Sequence, residues 1–125
     1  MNLAVWIVTG LLAAMFLVAG VGKLTRTKAQ LLESSAMAWA ADFSPGMLKF
    51  IGAAEVAGAV GLVMPGAFGV ATWLVAAAAI GLAALMVGAI ITHLRRGEYP
   101  NVAVNVALLV LAVFVAVERI GPQSL

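Results

Sequence analysis

Phe50-Ile51-Gly52-Ala53-Ala54-Glu55-Val56-Ala57-Gly58-Ala59-Val60-Gly61-Leu62-Val63-Met64 is the stretch that decides the fold of this chain. A single carboxylate stands near the middle of a run otherwise made of apolar and small residues. With its flanks, that run is long enough to cross a bilayer. An ionised acid at the centre of a membrane helix costs about 2.5 to 3.5 kcal/mol on insertion scales, so Glu55 must face other helices or a wet cavity. An intramembrane carboxylate is therefore the first candidate for a functional site.

Composition agrees with a membrane setting. Of 125 residues, 65% are hydrophobic and 10% charged, against roughly 45–50% and 25% in soluble domains. Three further segments besides the one around Glu55 can span a bilayer. The expected helices cover about 3–22, 46–64, 67–94 and 101–120. Ser44-Pro45 offers an N-cap followed by a first-turn proline, Pro65-Gly66 reads as a tight turn, and Asn101 reads as an N-cap. The expected fold is an all-α membrane protein, an antiparallel four-transmembrane-helix bundle forming one domain over 1–125. The first segment lacks a basic n-region and a clear cleavage site, so it reads as a retained span and not as a signal peptide.

The net charge of +2 would suggest nucleic acid in a soluble protein. Here Lys23, Arg26, Lys28, Lys49, Arg95 and Arg96 fall at one end of the helices, and only Arg119 falls at the other. That asymmetry reads as topology, with nucleic acid excluded as a partner, the basic loops in the cytoplasm and both termini outside. Trp6 and Trp73 then fall near the outer interface, and Trp39 and Tyr99 near the inner one. Between the first two spans, Leu32, Ala36, Trp39 and Phe43 recur at helical spacing. Residues 27–43 are thus expected to form a short amphipathic helix on the interface, anchored by Leu32, Trp39 and Phe43. Such a helix either closes the bundle or docks a partner.

The other polar groups of the spans converge on the leaflet of Glu55, which lies about 13 Å below Gly46 by helical rise. Lys23 ends the first helix, His93 sits in the last turn of the third, and Asn101 and Asn105 are one turn apart in the fourth. An intramembrane cluster of Lys23, Glu55, His93 and Asn105 is expected, opening toward the basic end. Each member also has a plainer reading: a structural hydrogen-bond anchor for Glu55, a snorkelling lysine, an interfacial histidine and interhelical glue for Asn105. Small residues offer close packing through Gly52, Gly58 and Gly61 on one helix and Gly81, Ala84 and Gly88 on the next. No cysteine is present, which excludes disulfides, iron–sulfur clusters and thiolate metal sites in this chain. No metal site is expected from His93, Glu55 and Asn105, a poor ligand set at differing depths.

Gly20-Val21-Gly22-Lys23-Leu24 closing the first helix, Glu55-Val56-Ala57-Gly58, a third helix ending in His93 and an asparagine in the fourth resemble the DoxX-like family of small four-helix membrane proteins. The likeness runs from Leu3 to Ile120. It implies a bacterial membrane protein, some of whose relatives are named as subunits of quinone-linked oxidoreductases. Others are proposed as membrane partners of larger assemblies. The family pattern falls on Lys23, Glu55, His93 and Asn105. No cofactor ligands are recognisable, and no cofactor is expected.

The leading expectation for function is a non-catalytic accessory subunit of a bacterial inner-membrane complex, such as a lipid transporter or respiratory assembly. Its partners would be membrane lipids and other membrane subunits. Two alternatives stand beside it. One is a small quinone-linked oxidoreductase component, although a bound quinone is not expected. The other is a carrier of a small hydrophobic molecule held at the polar cluster.

Overall fold

The computed structural model describes residues 2–125 and is helical throughout, without strands among them. Four long helices, α1 (Asn2–Thr25), α3 (Pro45–Phe68), α4 (Trp73–Arg96) and α5 (Tyr99–Ile120), are each long and apolar enough to cross a membrane. A short helix, α2 (Lys28–Leu32), and a 3-10 segment, Ser35–Asp42, fill the connection between α1 and α3. The neighbours in the bundle are α1–α3, α3–α4 and α4–α5, and α1 against α5 is the loosest seam of the ring.

Local chemistry explains where the elements begin and end. The Ser44 hydroxyl accepts from Met47 N–H at 3.1 Å, and Pro45 occupies the first turn of α3. Gly97, with φ +69°, ends α4 in the left-handed conformation, which glycine adopts without strain. Glu98 N–H then reaches back to the His93 carbonyl at 2.9 Å. Two expected boundaries are corrected. Pro65-Gly66 is not the turn. Pro65 gives up one backbone bond near the helix end, and α3 continues to Phe68, where Gly69 caps it with φ +64°. The continuation packs well, since a Cβ on Gly66 would meet Trp6 Cη2 at 3.0 Å and Leu125 Cδ1 at 2.9 Å. Asn101 is not an N-cap either; α5 starts at Tyr99, two residues earlier.

The segment expected as one amphipathic helix over 27–43 is broken. A Thr27 capping box starts α2, with Gln30 N–H donating to Thr27 Oγ1 at 3.1 Å and Thr27 N–H to Gln30 Oε1 at 2.9 Å. Met37 has non-helical backbone angles, so the rest proceeds as a kinked 3-10 strap. The inward residues differ from those expected. Leu31 is buried and Leu32 is 40% exposed, while Ala40 and Leu48 join Leu31 in a small core flanked by Met37, Trp39 and Phe43. A 3-10 turn has three residues per turn, which shifts the face that a 3.6-residue period assigns.

The main core, around Leu12, Phe16, Leu62, Leu82 and Val115, lies toward the end that carries the termini. There α3 and α4 interlock: a Cβ on Gly58 would lie 2.6 Å from Leu82 Cδ2, and one on Gly61 would lie 2.9 Å from Ala78 Cβ. On the other side of α3, Gly52 and Gly20 meet backbone to backbone. A Cβ on Gly20 would stand 2.7 Å from the Gly52 carbonyl. Gly81 and Gly88 have nothing within 4 Å of an added Cβ, and with Ala84 they are exposed on α4. They do not pack within the bundle, because the buried stripe of α4 runs through Val75, Ala79, Leu82, Met86 and His93. At the terminal end Arg119 is turned inward. It donates to Asn2 Oδ1 and to the Gln123 carbonyl, each at 2.7 Å, and its guanidinium lies 5.2 Å from the centre of the Trp6 ring.

Candidate functional site: a polar-ended cavity at the basic end

Away from that core, the helices separate around a cavity of about 620 Å³. All four long helices and the 3-10 strap contribute to its wall. Lys23 and Glu55 reach it from the buried stripes of α1 and α3, where helical spacing puts each in line with apolar core residues. Their side chains are 10% and 5% exposed, and Lys23 Nζ stands 2.7 Å from Glu55 Oε1. That approach is short but lies off the line of a directed hydrogen bond. Nζ also lies 5.7 Å from the centre of the Trp39 ring, so aromatic and carboxylate share one ammonium. Removing two charges from water costs several kcal/mol per ion. A close pair recovers much of that, and either charge left alone would not.

The wall around the pair is mostly apolar, with Phe16, Ile51, Met86 and Leu108 among its residues, and its polar points are few. Asn105 lines the cavity with no side-chain hydrogen bond to another described residue. His93 is buried to 5% exposure and lines it as well, yet its Nδ1 points out of it, donating to Glu98 Oε1 at 2.7 Å. Asn101 Nδ2 lies 3.5 Å from the same ring nitrogen. Of the four residues expected to form one cluster, the structure brings Lys23 and Glu55 into contact. His93 and Asn105 share their cavity without a direct bond to either.

Three participants were not legible as such. Trp39, read as an interfacial anchor, stands edge-on to His93 with ring centres 6.0 Å apart and closes the cavity over Lys23. Glu98 is the partner of His93, and it also accepts from Arg96 Nε at 3.2 Å. Arg96 Nη1 in turn donates to Asp42 Oδ2 at 3.0 Å, tying the strap to the α4–α5 turn. The His93 hydrogen bond holds the Glu98 carboxyl below the ordinary glutamate range. Burial opposes that shift and Arg96 adds to it. The signal for Glu98 was present in Gly97: a left-handed glycine cap folds the next residue back over the last helical turn.

A family model described as the DoxX-like family matches residues 7–115, which include Lys23, Glu55, His93 and Asn105. The chain belongs to the DoxX-like family. As a DoxX-like protein with four apolar helices it is a multi-pass membrane protein, in contact with lipid along its spans. No curated protein and no solved structure matches this DoxX-like chain. The chemistry open to the cavity is that of its own groups. It offers a donor at Lys23, an acceptor at Glu55 and both at the Asn105 amide, set in a greasy wall.

Proposed function

We propose that this protein binds a small, largely apolar molecule with a neutral polar head, held within the membrane at the Lys23–Glu55 pair. The observation that supports this reading most is the cavity itself. A volume of about 620 Å³ falls inside the range of roughly 300–1,000 Å³ typical of small-molecule sites, and a few polar points in an apolar wall are what such sites use to orient a ligand. The pair is neutral as a unit, so a head that donates and accepts hydrogen bonds fits it better than a second net charge. A hydroxyl, a carbonyl or an amide would serve; a quinone carbonyl is one member of that class. The protein would hold or hand over its ligand, with Lys23, Glu55 and Asn105 as binding residues.

A second reading has its own observation. Gly58, Gly61, Ala78, Gly81 and Ala84 line an outward groove between α3 and α4, where a partner helix could approach closely. That favours a non-catalytic accessory subunit of a larger bacterial inner-membrane assembly, and such a subunit could itself carry the ligand. In either case the basic end is placed in the cytoplasm by the positive-inside rule, so a reporter fused at Leu125 should behave as exported. The deciding experiment is purification of tagged protein in a gentle detergent, followed by native mass spectrometry. The binding reading expects one discrete small-molecule adduct. The subunit reading expects membrane proteins in fixed ratio. Clean monomer with neither would contradict both.

A further inference from the structure

We infer that the ligand reaches the cavity sideways, out of the bilayer through the seam between α1 and α5, while the strap keeps the aqueous end shut. The inference rests on the binding reading above and assigns that site its route. Three observations carry it. First, α1–α5 is the least packed of the four helix seams. Second, every buried residue of α5 lies in its second half, from Ala112 to Arg119. None lies between Tyr99 and Leu111, the half that faces the cavity. Third, Met15 on α1 and Val104 on α5 line the cavity at 49% and 54% exposure, the two large side chains among its exposed lining residues, the others being the small Ala36, Ala84 and Gly88. Side chains that are cavity wall and outer surface at once mark the rim of an opening, and these two lie within spans, where the surroundings are acyl chains.

The aqueous end is built differently. Lys28 Nζ donates to the Phe43 carbonyl at 2.7 Å and the Ala41 carbonyl at 3.3 Å, fastening the far end of the strap to α2. Arg96 fastens Asp42 to the α4–α5 turn. Lys49 Nζ donates to the carbonyls of Leu24 and Arg26, each at 2.7 Å, fixing the end of α1 to α3. Trp39 and Phe43, with ring centres 5.6 Å apart, lie beneath these ties as the lid. Charged ties bound the watery mouth, whereas the exposed rim residues Met15 and Val104 are apolar. An amphiphile dissolved in the bilayer would cross the seam chain by chain, without desolvating an ion pair.

Trp39 reports on occupancy. With Trp6→Phe and Trp73→Phe in place it is the sole tryptophan, and a bromine-tipped long-chain alcohol serves as quenching probe. The probe is mixed with the protein in vesicles and the onset of quenching is timed. Bulk added at the rim, Met15→Phe with Val104→Phe, should slow the onset about tenfold, as a modest rise in the barrier would. Its extent in detergent, where the seam is free to open, should stay the same, which also checks that the variant is folded. Arg96→Ala, which unties the strap, should leave the vesicle rate unchanged. The route is overturned if the rim variant does not slow quenching, or if Arg96→Ala speeds it, the latter showing that the probe arrives from water. Absence of quenching in every variant, in detergent as well as vesicles, overturns the binding reading itself. Slow rim kinetics with a normal detergent endpoint supports both.

Discussion

The two ends of this bundle are made from the same four helices and solve opposite problems. At the terminal end, Gly58 seats Leu82 and Gly61 seats Ala78, so α3 and α4 interlock around a core with Leu62 and Val115 fully buried. At the basic end the same helices separate, and the stripe that carries Leu62 and Ala59 carries Glu55 one turn further on. In lipid, apolar side chains gain little by leaving their surroundings, so helices associate through close packing and polar contacts. The terminal end relies mainly on the first, and the basic end adds a buried ion pair to the close Gly20–Gly52 approach. Hydropathy alone does not locate the cavity: α1 and α3 stay in backbone contact at Gly20 and Gly52, and the open space lies beside the ion pair that joins them.

Substitutions that break this contrast rank by what they collide with. The largest effect is expected at Gly52, where a Cβ would meet Lys23 Cβ at 2.8 Å and the Gly20 carbonyl at 2.9 Å. Backbone cannot give way as a side chain can, so Gly52→Leu should cost more than about 3 kcal/mol and yield little folded protein by size-exclusion chromatography in detergent. Gly81→Leu, with open space around the position, should behave as wild type within about 0.5 kcal/mol. Equal loss in both would mean that the α1–α3 backbone approach is not what closes that side.

Next comes the pair. Lys23→Met leaves Glu55 buried and alone, and removal of one partner of a buried pair costs about 3–5 kcal/mol. The double variant Lys23→Met with Glu55→Met should recover most of that, because apolar replacement of a buried pair is often neutral or stabilising. Thermal unfolding in one detergent measures all three chains. A double variant as unstable as the single would show that the pair is needed for folding and not for what the cavity holds.

At the terminal end, Leu82→Ala should empty the seat beside Gly58 and cost about 1–3 kcal/mol. That is the packing share of a leucine deletion, since little transfer energy is lost in lipid. The cavity should be unaffected, so probe quenching of Trp39 is expected to match that of wild type.

The smallest effect is at Glu98. Its carboxyl is held below the ordinary range when folded, so the stability it lends is present above its unfolded value, about pH 4.3. That stability is lost as pH falls through the lowered folded value. Glu98→Gln should therefore flatten the acid limb of a stability–pH curve and change little at neutral pH. An unchanged acid limb would assign the strap's hold to Arg96–Asp42 alone.

The sequence carried the four spans and the family, because apolar length and helical rise are local properties. Ser44-Pro45 was legible for the same reason, a cap being read from adjacent residues. What escaped depended on tertiary or backbone context. Pro65-Gly66 looks like a turn until Trp6 is packed on Gly66. Leu31 and not Leu32 lies on the inner face because 27–43 is not one helix: α2 ends at Leu32 and a kinked 3-10 segment follows from Ser35. Trp39 lies over Lys23 only because that strap folds back across the bundle. The cavity itself was anticipated only as a cluster, since a void is a property of what the helices fail to fill.

On the binding reading, the Lys23–Glu55 pair seats the head of the ligand. Equilibrium quenching of Trp39 with the brominated alcohol, in wild type and in the Lys23→Met, Glu55→Met double variant, measures that role. The Trp6→Phe, Trp73→Phe background is used for both. The double variant should fold and lose at least about tenfold in affinity, as the loss of one or two hydrogen bonds to charged groups would bring. Equal affinity in the two proteins would contradict the account, because the cavity would then be binding by apolar contact alone.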